Sequence, residues 1–232
     1  MKSFFKLTLG AARTALLLAA LFPAAVLTAQ FQDPIRSIRL HGEMAVQGRS
    51  LNLAQITKSQ DKIRASITAP NGVSKITIYF ANDKIVSERN PANTQVVREI
   101  KGTDAAAHLL DLLALNPEFH FDPKDGFDLQ HPLLEAYSVR IRRDQGVNTT
   151  GENPLVREIQ LIDPSGEGDP VIRTIRYEDY FPADEYGQAP RTITFTDNTT
   201  GEGGTIHLKA YTYNVGLPDF LFEAPAVTES KP

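Results

Sequence analysis

The sequence predicts a mainly β fold class: an antiparallel meander interrupted by one helical insert. Short runs of residues alternate between apolar and polar side chains and are separated by turn residues, which is typical of strands with one dry face and one wet face. One stretch, residues 103–117, has helical periodicity instead. The last two runs flank the Gly-rich stretch "TGEGGT" (200–205) and predict a closing hairpin.

The first part of the meander contains four runs, "SIRLHGEMAVQG", "SLNLAQIT", "DKIRASIT" and "SKITIYFAND". Their alternation predicts that each run puts one set of apolar residues on a common face. These sets are Ile38, Leu40, Met44 and Val46, then Ile63, Ala65 and Ile67, and then Ile76, Ile78 and Phe80.

The helical insert is predicted to begin at a cap formed by Thr103 or Asp104 and to run through Leu115, with Asn116-Pro117 as the stop. Asp111 is expected at the edge of its apolar stripe, which consists of Ala105, Leu109, Leu112 and Leu113. A second, weaker helical turn is predicted from Pro132.

Strands return after Glu135. In "YSVRIRR" the alternation predicts Val139 and Ile141 facing inward and the arginines facing outward. The runs "LVREIQLID" and "PVIRTIRYEDYF" follow, and the second has Val171, Arg173, Ile175 and Tyr177 on one side. In the closing hairpin, Ile193 and Phe195 face the same way, as do Ile206, Leu208 and Ala210.

The N-terminus resembles a secretory signal peptide. Lys2 and Lys6 precede an uncharged run from Ala15 to Val26, and Ala29 offers a small residue for cleavage. The alternative is a membrane anchor, but the strongly apolar part spans about a dozen residues, fewer than the roughly 20 that cross a bilayer. We therefore expect a signal peptide at 1–29, a single domain at 30–225, a disordered tail at 226–232, and a periplasmic location.

Composition excludes several classes of protein. The chain has no cysteine, so disulfides, thiol catalysis, Cys-based zinc sites and a lipid-modified N-terminal cysteine are excluded. Its formal net charge is −4, and loss of Lys2, Lys6 and Arg13 with the signal would lower it to about −7. An acidic domain is a poor electrostatic match for nucleic acid, so no nucleic-acid partner is expected.

No motif predicts a metal, a cofactor or a catalytic residue. The acidic cluster around His120 and His131 lacks the alternating oxygen ligands and central glycine of a calcium loop. No serine lies in a Gly-x-Ser-x-Gly elbow, and "TGEGGT" lacks the lysine of a phosphate loop. Carboxylates and tyrosines do occur together at 177–186, which leaves a hydrolase as the least favoured alternative.

The C-terminal stretch "PRTITFTDNTTGEGGTIHLKAYTYNVGLPDFLFEAP" resembles the closing pattern of the LolA/LolB-like family of periplasmic lipoprotein carriers. The matching positions are Phe195, Asp197, Leu208, Tyr211, Asn214, Pro218, Asp219, Phe222 and Pro225. The resemblance implies a curved antiparallel half-barrel, an incomplete β-barrel, with a helical lid over an apolar cavity for acyl chains. It also implies an arginine in an early strand that locks the lid, for which Arg49 and Arg64 are the candidates.

The predicted cavity contains apolar residues from both the sheet and the lid. They are Ile76, Ile78, Phe80, Leu109, Leu112, Leu113, Val139, Ile141, Ile193, Phe195, Ile206 and Leu208. The same residues would equally form an ordinary core with no space left, since cores and cavity linings share a composition.

The expected function is that of a monomeric, non-enzymatic carrier without cofactor. Its cargo would be the acyl chains of lipoproteins or other envelope lipids, exchanged with inner- and outer-membrane transfer proteins. The alternative from another class is an envelope sensor or interaction module of the same fold that binds a protein partner.

Overall fold

The computed structural model describes residues 35–58, 61–90, 95–117, 131–144, 155–182 and 188–228. The expected signal peptide, the acidic residues at 120–130 and residues 183–186 of the stretch with carboxylates and tyrosines lie outside the described residues. The strands are β1 (Ser37–Val46), β2 (Arg49–Lys58), β3 (Lys62–Thr68), β4 (Lys75–Ala81), β5 (Lys84–Arg89), β6 (Val96–Ile100), β7 (Ser138–Arg143), β8 (Val156–Ile162), β9 (Val171–Pro182), β10 (Gln188–Asp197) and β11 (Gly203–Tyr213). Helix α1 is Gly102–Ala114, and short 3-10 turns occupy Pro132–Leu134 and Asp219–Phe222.

The strands form one antiparallel sheet in the order β6-β5-β4-β3-β2-β1-β11-β10-β9-β8-β7. Each hairpin pairs neighbours in sequence, and the last strand, β11, returns to pair with β1. Strands β6 and β7 are the two edges and do not pair with each other, so the sheet stays open. The predicted half-barrel with a helical lid is confirmed.

Helix α1 shows that the sheet is curved. It contacts β5 near one edge and β8 and β9 near the other. Strands β5 and β8 are eight steps apart in the sheet order, which in a flat sheet would be about 38 Å at roughly 4.8 Å per step. A helix of 13 residues is only about 20 Å long. The sheet therefore curves around α1, which lies on its concave face.

The core lies between the concave face and α1. Leu109, Leu110 and Leu113 of the helix pack against inward-facing residues from most of the strands. The largest fully buried sheet residues are Tyr177, Phe80, Ile38, Leu40, Ile63, Ile85, Ile159, Leu161 and Ile175. Burying this apolar face is the main stabilising contribution in a chain that has no cysteine.

Strands β5 and β6 are absent from the sequence prediction because their apolar residues do not alternate. Val86 and Val97 form a small cluster with Tyr79 on the convex face. Part of this face is covered by the C-terminal arm, residues 214–228, whose Phe222 lies in a groove with Tyr79 and Val86. Because neighbouring apolar residues such as Ile85 and Val86 are buried on opposite faces, these strands lack the simple alternation of one buried and one solvent-exposed face.

The C-terminal arm continues along the convex face as far as the sheet edge. Lys58 donates through Nζ to the carbonyl of Leu217 at 2.9 Å, and the backbone N–H of Val97 donates to Thr228 Oγ1 at 3.2 Å. Residues 226–228 of the expected tail thus lie beside β6, and residues 229–232 lie outside the described part of the chain.

The start of α1 differs from the prediction. The helix begins at Gly102, after Lys101, and no side chain caps it. The hydroxyl of Thr103 instead accepts a hydrogen bond from Tyr137 Oη at 2.9 Å. Gly102 has φ +62°, a left-handed conformation that favours glycine. The expected cap at Thr103 or Asp104 was wrong because tertiary contacts engage the Thr103 hydroxyl.

A β-bulge changes the expected orientation of β11. His41 of β1 pairs with Ala210 and Gly42 pairs with Leu208, so Lys209 is the extra residue in β11. The bulge reverses the alternation from that point. Ala210, predicted to face inward, is exposed, and Tyr211 takes the inward place opposite Leu40.

Candidate apolar binding site

A cavity of about 200 Å³ lies between α1 and the concave face. Its wall is mostly apolar and contains residues of β1, β2, β3, β4, β9, β10 and β11, together with residues of α1 and Leu115 directly after it. The lining residues are Met44, Leu53, Ala65, Ile67, Ile78, His108, Asp111, Leu112, Leu115, Arg173, Phe195 and Ile206. Met44, Ile67 and Ile78 are only partly buried, so this side of the core is not completely filled.

Four of the predicted cavity residues line this space: Ile78, Leu112, Phe195 and Ile206. Phe80, Leu109, Leu113, Ile193 and Leu208 are buried in the packed core instead. Val139 and Ile141 lie on the edge strand β7 and pack against the core as partly buried residues. Ile76 is at the start of β4 and is half-buried. The apolar face is thus partly ordinary core and partly cavity wall.

An ion pair joins the helix to the sheet beside the cavity. Arg173 of β9 donates to Asp111 of α1 from Nε at 2.9 Å and from Nη2 at 2.5 Å. The two side chains keep 18% and 23% of their surface exposed. Burial raises the pKa of Asp111 above its ordinary value, whereas the charge and hydrogen bonds of Arg173 act to lower that pKa. The guanidinium also lies 5.7 Å from the centre of the Phe195 ring.

The C-terminal end of α1 is held by side chains of the sheet. Tyr177 Oη donates to the carbonyl of Ala114 at 2.9 Å, and Tyr211 Oη donates to that of Leu115 at 3.0 Å. Gln55 Nε2 donates to the carbonyl of Leu112 at 3.1 Å. The last carbonyls of a helix have no partner within it. These bonds give partners to the carbonyls of Leu112 and Ala114 and to that of Leu115 directly after the helix. The helix end is fixed to three strands, β2, β9 and β11.

The two arginines predicted to lock the lid lie elsewhere. Arg49 is exposed at the start of β2, next to the first turn. Arg64 alternates with the inward-facing Ile63 and Ala65, so it projects from the convex face. Its guanidinium lies 5.4 Å from the centre of the Tyr79 ring, and Nη1 donates to the carbonyl of Leu221 at 3.5 Å. Arg173 is an arginine that does bond to α1, through Asp111.

The sequence does contain a signal for the Arg173–Asp111 pair. Arg173 is a charged residue at an inward position of an alternating strand, and Asp111 lies at the edge of the apolar stripe of α1. A charge on the dry face needs a partner of opposite sign. Tyr211 had no such signal, because the bulge that turns it inward is not visible in the alternation.

A larger groove, of about 600 Å³, lies on the convex face beside the C-terminal arm. Lys62, Lys84, Asp219 and Glu223 contribute charges of both signs to its wall. Lys58 and Lys62 approach Asp219 to 2.8 and 3.2 Å. Desolvating these charges would disfavour an acyl chain, so the smaller cavity under α1 is the better candidate for an apolar ligand.

The tyrosines of the 177–186 stretch that are described have structural partners. Tyr177 bonds to α1, and Tyr180 Oη donates to the carbonyl of Val156. Within the described ranges, no cluster of His, Asp or Glu has the arrangement of a metal site. The same part of the chain contains no helix long and apolar enough to cross a membrane.

No protein-family model matches the chain, and no curated protein sequence does either. Several solved structures are similar to it, among them the following three. A domain named for outer membrane lipoprotein sorting, from Vibrio parahaemolyticus, is 11% identical with a TM-score of 0.46, covering 80% of this chain and 88% of that one. A DUF1329 family protein from Desulfovibrio piger is 13% identical with a TM-score of 0.47, covering 84% and 93%. A LolA superfamily protein from Nitrosomonas europaea is 12% identical with a TM-score of 0.45, covering 81% and 89%.

At identities of 11–13% and TM-scores of 0.45–0.47, these likenesses carry no argument about family or function. The half-barrel assignment depends on the strand order and registers of this chain.

Proposed function

We propose that the protein is a periplasmic, non-enzymatic carrier that holds acyl chains of lipoproteins or other envelope lipids between the concave sheet and α1. The observation that carries this proposal is the mostly apolar cavity of about 200 Å³ beneath the helix. Each methylene of an alkyl chain moved from water into such a space contributes about 0.8 kcal/mol. A short length of chain is enough for reversible binding.

The resting cavity is smaller than the roughly 300–1,000 Å³ of typical small-molecule sites. A longer chain therefore requires α1 to move away from β9 and β10. The C-terminal end of α1 is tied to the sheet by Gln55, Tyr177 and Tyr211. The ion pair at Asp111 is the tie that lies beside the cavity. Asp111 lies in the last turn of α1, next to the tied Leu112. In this proposal the Asp111 side chain therefore releases Arg173 and the N-terminal part of the helix moves outward, while the C-terminal end stays attached.

Native mass spectrometry of the full chain, purified from the envelope fraction of a bacterial host, tests the proposal. Co-purifying acyl species are expected with the wild-type protein. The cavity-filling change Ile78→Trp should abolish them, and the matched control Val73→Trp, in a turn where the side chain is 64% exposed, should not. A wild-type protein that carries no acyl species, or equal loading of all three proteins, would contradict the proposal.

A second candidate is an interaction module that binds a protein partner. It is favoured by Phe220, which is 65% exposed in the C-terminal arm, next to the wall of the convex groove. A stoichiometric protein partner in the same spectra, lost on Phe220→Ser and retained on Ile78→Trp, would favour this function. Transfer proteins of the inner and outer membranes are the partners that the carrier proposal expects instead.

A further inference from the structure

The charged groups at the cavity carry information about its ligand. Of the residues that the structure describes, three ionisable ones line it: Arg173, Asp111 and His108. Arg173 is held in place from two sides, since it bonds to Asp111 and lies over Phe195. Of the three, Arg173 belongs to the sheet and stays with the cavity, whereas Asp111 and His108 belong to α1 and move with the helix.

Opening of α1 creates an electrostatic problem. When Asp111 leaves, the guanidinium of Arg173, only 18% exposed, loses its carboxylate next to an apolar wall. Breaking such a pair by removing one partner costs more than the pair itself contributes, because a poorly solvated charge remains. Binding of a neutral ligand does not reduce the free-energy cost of leaving the Arg173 guanidinium unpaired. A ligand that carries its own carboxylate removes it.

We propose that the cavity takes a single-chain amphiphile with a carboxylate head, such as a free fatty acid, and that Arg173 exchanges the Asp111 carboxylate for that of the ligand. This inference rests on the proposed carrier function and names its ligand class. Asp111 occupies the position of the ligand head in the closed state. Entry of the ligand head and release of the helix are then the same step.

The geometry of the pair fits a carboxylate in particular. Nε and Nη2 of Arg173 meet the two oxygens of Asp111 separately, at 2.9 and 2.5 Å. This parallel arrangement matches the two coplanar oxygens of a carboxylate. The Asp111 carboxylate competes for these donors, so its removal would strengthen the binding of an incoming carboxylate.

The neighbouring acidic residue on β10 is engaged elsewhere. Asp197 lies opposite Arg173 in the sheet register, but its Oδ1 accepts hydrogen bonds from the backbone N–H and the hydroxyl of Thr199 at 2.9 and 2.6 Å, and from the N–H of Thr200 at 3.0 Å. These bonds hold it in the turn after β10. An arriving carboxylate therefore meets Arg173 with its two donors still directed toward α1.

The size of the cavity favours one chain. About 200 Å³ is below the range of ordinary small-molecule sites. A ligand with two or three chains would need most of the core to open, including Leu109 and Leu113, which are 0% and 3% exposed. One chain entering beside Ile78 and Ile206 needs only the release of Arg173 by the Asp111 side chain and an outward movement of the N-terminal part of α1.

Isothermal titration calorimetry with decanoate and decanol at neutral pH tests the inference on the full chain. Both probes have ten carbons, and they differ in the charge of the head. We expect decanoate to bind about tenfold more tightly than decanol, corresponding to about 1.4 kcal/mol. Arg173→Gln should remove the difference, and the control Arg191→Gln, on an exposed position of β10, should keep it.

A second variant keeps the test independent of folding defects. Asp111→Asn removes the competing carboxylate and should raise the affinity for decanoate severalfold, and that for decanol as well, because neither probe then has to displace it. Equal binding of the two probes by the wild type, an unchanged preference in Arg173→Gln, or weaker decanoate binding by Asp111→Asn would overturn the inference while leaving the carrier proposal intact. Failure of both probes to bind the wild type would overturn both.

Discussion

Arg173 on β9 and Asp111 on α1 form a bidentate ion pair, with N–O distances of 2.9 and 2.5 Å, at the side of an apolar cavity. The pair connects the chemistry of the site to the stability of the closed fold. Each residue keeps about a fifth of its side chain exposed, 18% for Arg173 and 23% for Asp111. Its energetic value is therefore intermediate between that of a surface pair and that of a buried one.

The first prediction concerns this pair. Arg173→Met alone should lower the free energy of unfolding by about 1–3 kcal/mol, because it leaves Asp111 without its partner. The double variant Arg173→Met with Asp111→Leu should recover most of the loss. Urea unfolding of the wild type, the single variants Arg173→Met and Asp111→Leu, and the double variant measures the coupling free energy between the two residues. Additive losses in the double variant would show that the two residues do not act together.

The second prediction concerns the C-terminal end of α1. Tyr177→Phe and Tyr211→Phe should each lower the free energy of unfolding by about 1–2 kcal/mol, since each leaves a buried carbonyl without its donor. They should also speed hydrogen exchange of the amides of α1. Tyr137→Phe, which removes an exposed bond to Thr103, is the matched control and should have a smaller effect. Equal effects of all three changes would contradict this view of the anchor.

The third prediction concerns Gly42, at the bulge that turns Tyr211 inward. A Cβ atom at this position would lie 2.7 Å from the carbonyl oxygen of His207 and 3.1 Å from Leu208 Cδ2. Gly42→Ala should therefore destabilise the protein by about 1–3 kcal/mol. Gly216→Ala, where a Cβ would meet nothing within 4 Å, should be nearly neutral. Thermal unfolding of the two variants compares them, and a neutral Gly42→Ala would contradict the close approach.

The fourth prediction is a pH dependence of the C-terminal arm. Hydrogen bonds from Lys58 and Lys62, together with their charges, lower the pKa of Asp219 from its ordinary value of 3.8. A carboxylate whose pKa is lowered in the folded state stabilises it above the ordinary pKa, and this contribution is lost as the pH falls through the lowered value. Acidification below pH 3.8 should therefore release the arm.

The amide chemical shift of Val97, whose N–H donates to Thr228, reports this release. Asp219→Asn should move that shift toward its released value already at neutral pH. Asp163→Asn is the control, because the pKa of Asp163 is also lowered, by Ser165 in a separate turn. A Val97 shift that responds equally to both substitutions would argue against a specific attachment through Asp219.

The sequence predicted those elements that have one wet face and one dry face. The alternation of Ile63, Ala65 and Ile67, and of Ile193 and Phe195, identified β3 and β10 correctly. It missed β5 and β6, because the apolar side chains of Val86 and Val97 are covered on the convex face. Local periodicity contains no information about a segment more than a hundred residues later that covers such a strand.

The cavity, too, could be predicted only in part from the residue pattern. Apolar residues at inward positions were identified, but their pattern cannot separate Leu113, which is packed, from Leu112, which lines the cavity. That distinction depends on how the sheet curves. The lock was expected at Arg49 or Arg64 from the family resemblance, whereas the inward position of Arg173 in its strand was the physical signal for a partner on α1.

The most direct test of the carrier account locates a bound alkyl chain in the protein. Isotope-filtered nuclear Overhauser spectra of the labelled full chain with unlabelled decanoate report which methyl groups lie beside the ligand. We expect contacts from the decanoate methylenes to the methyl groups of Met44, Ile78 and Ile206, which line the cavity. Contacts confined to Val86 and Ala224 of the convex groove would contradict it.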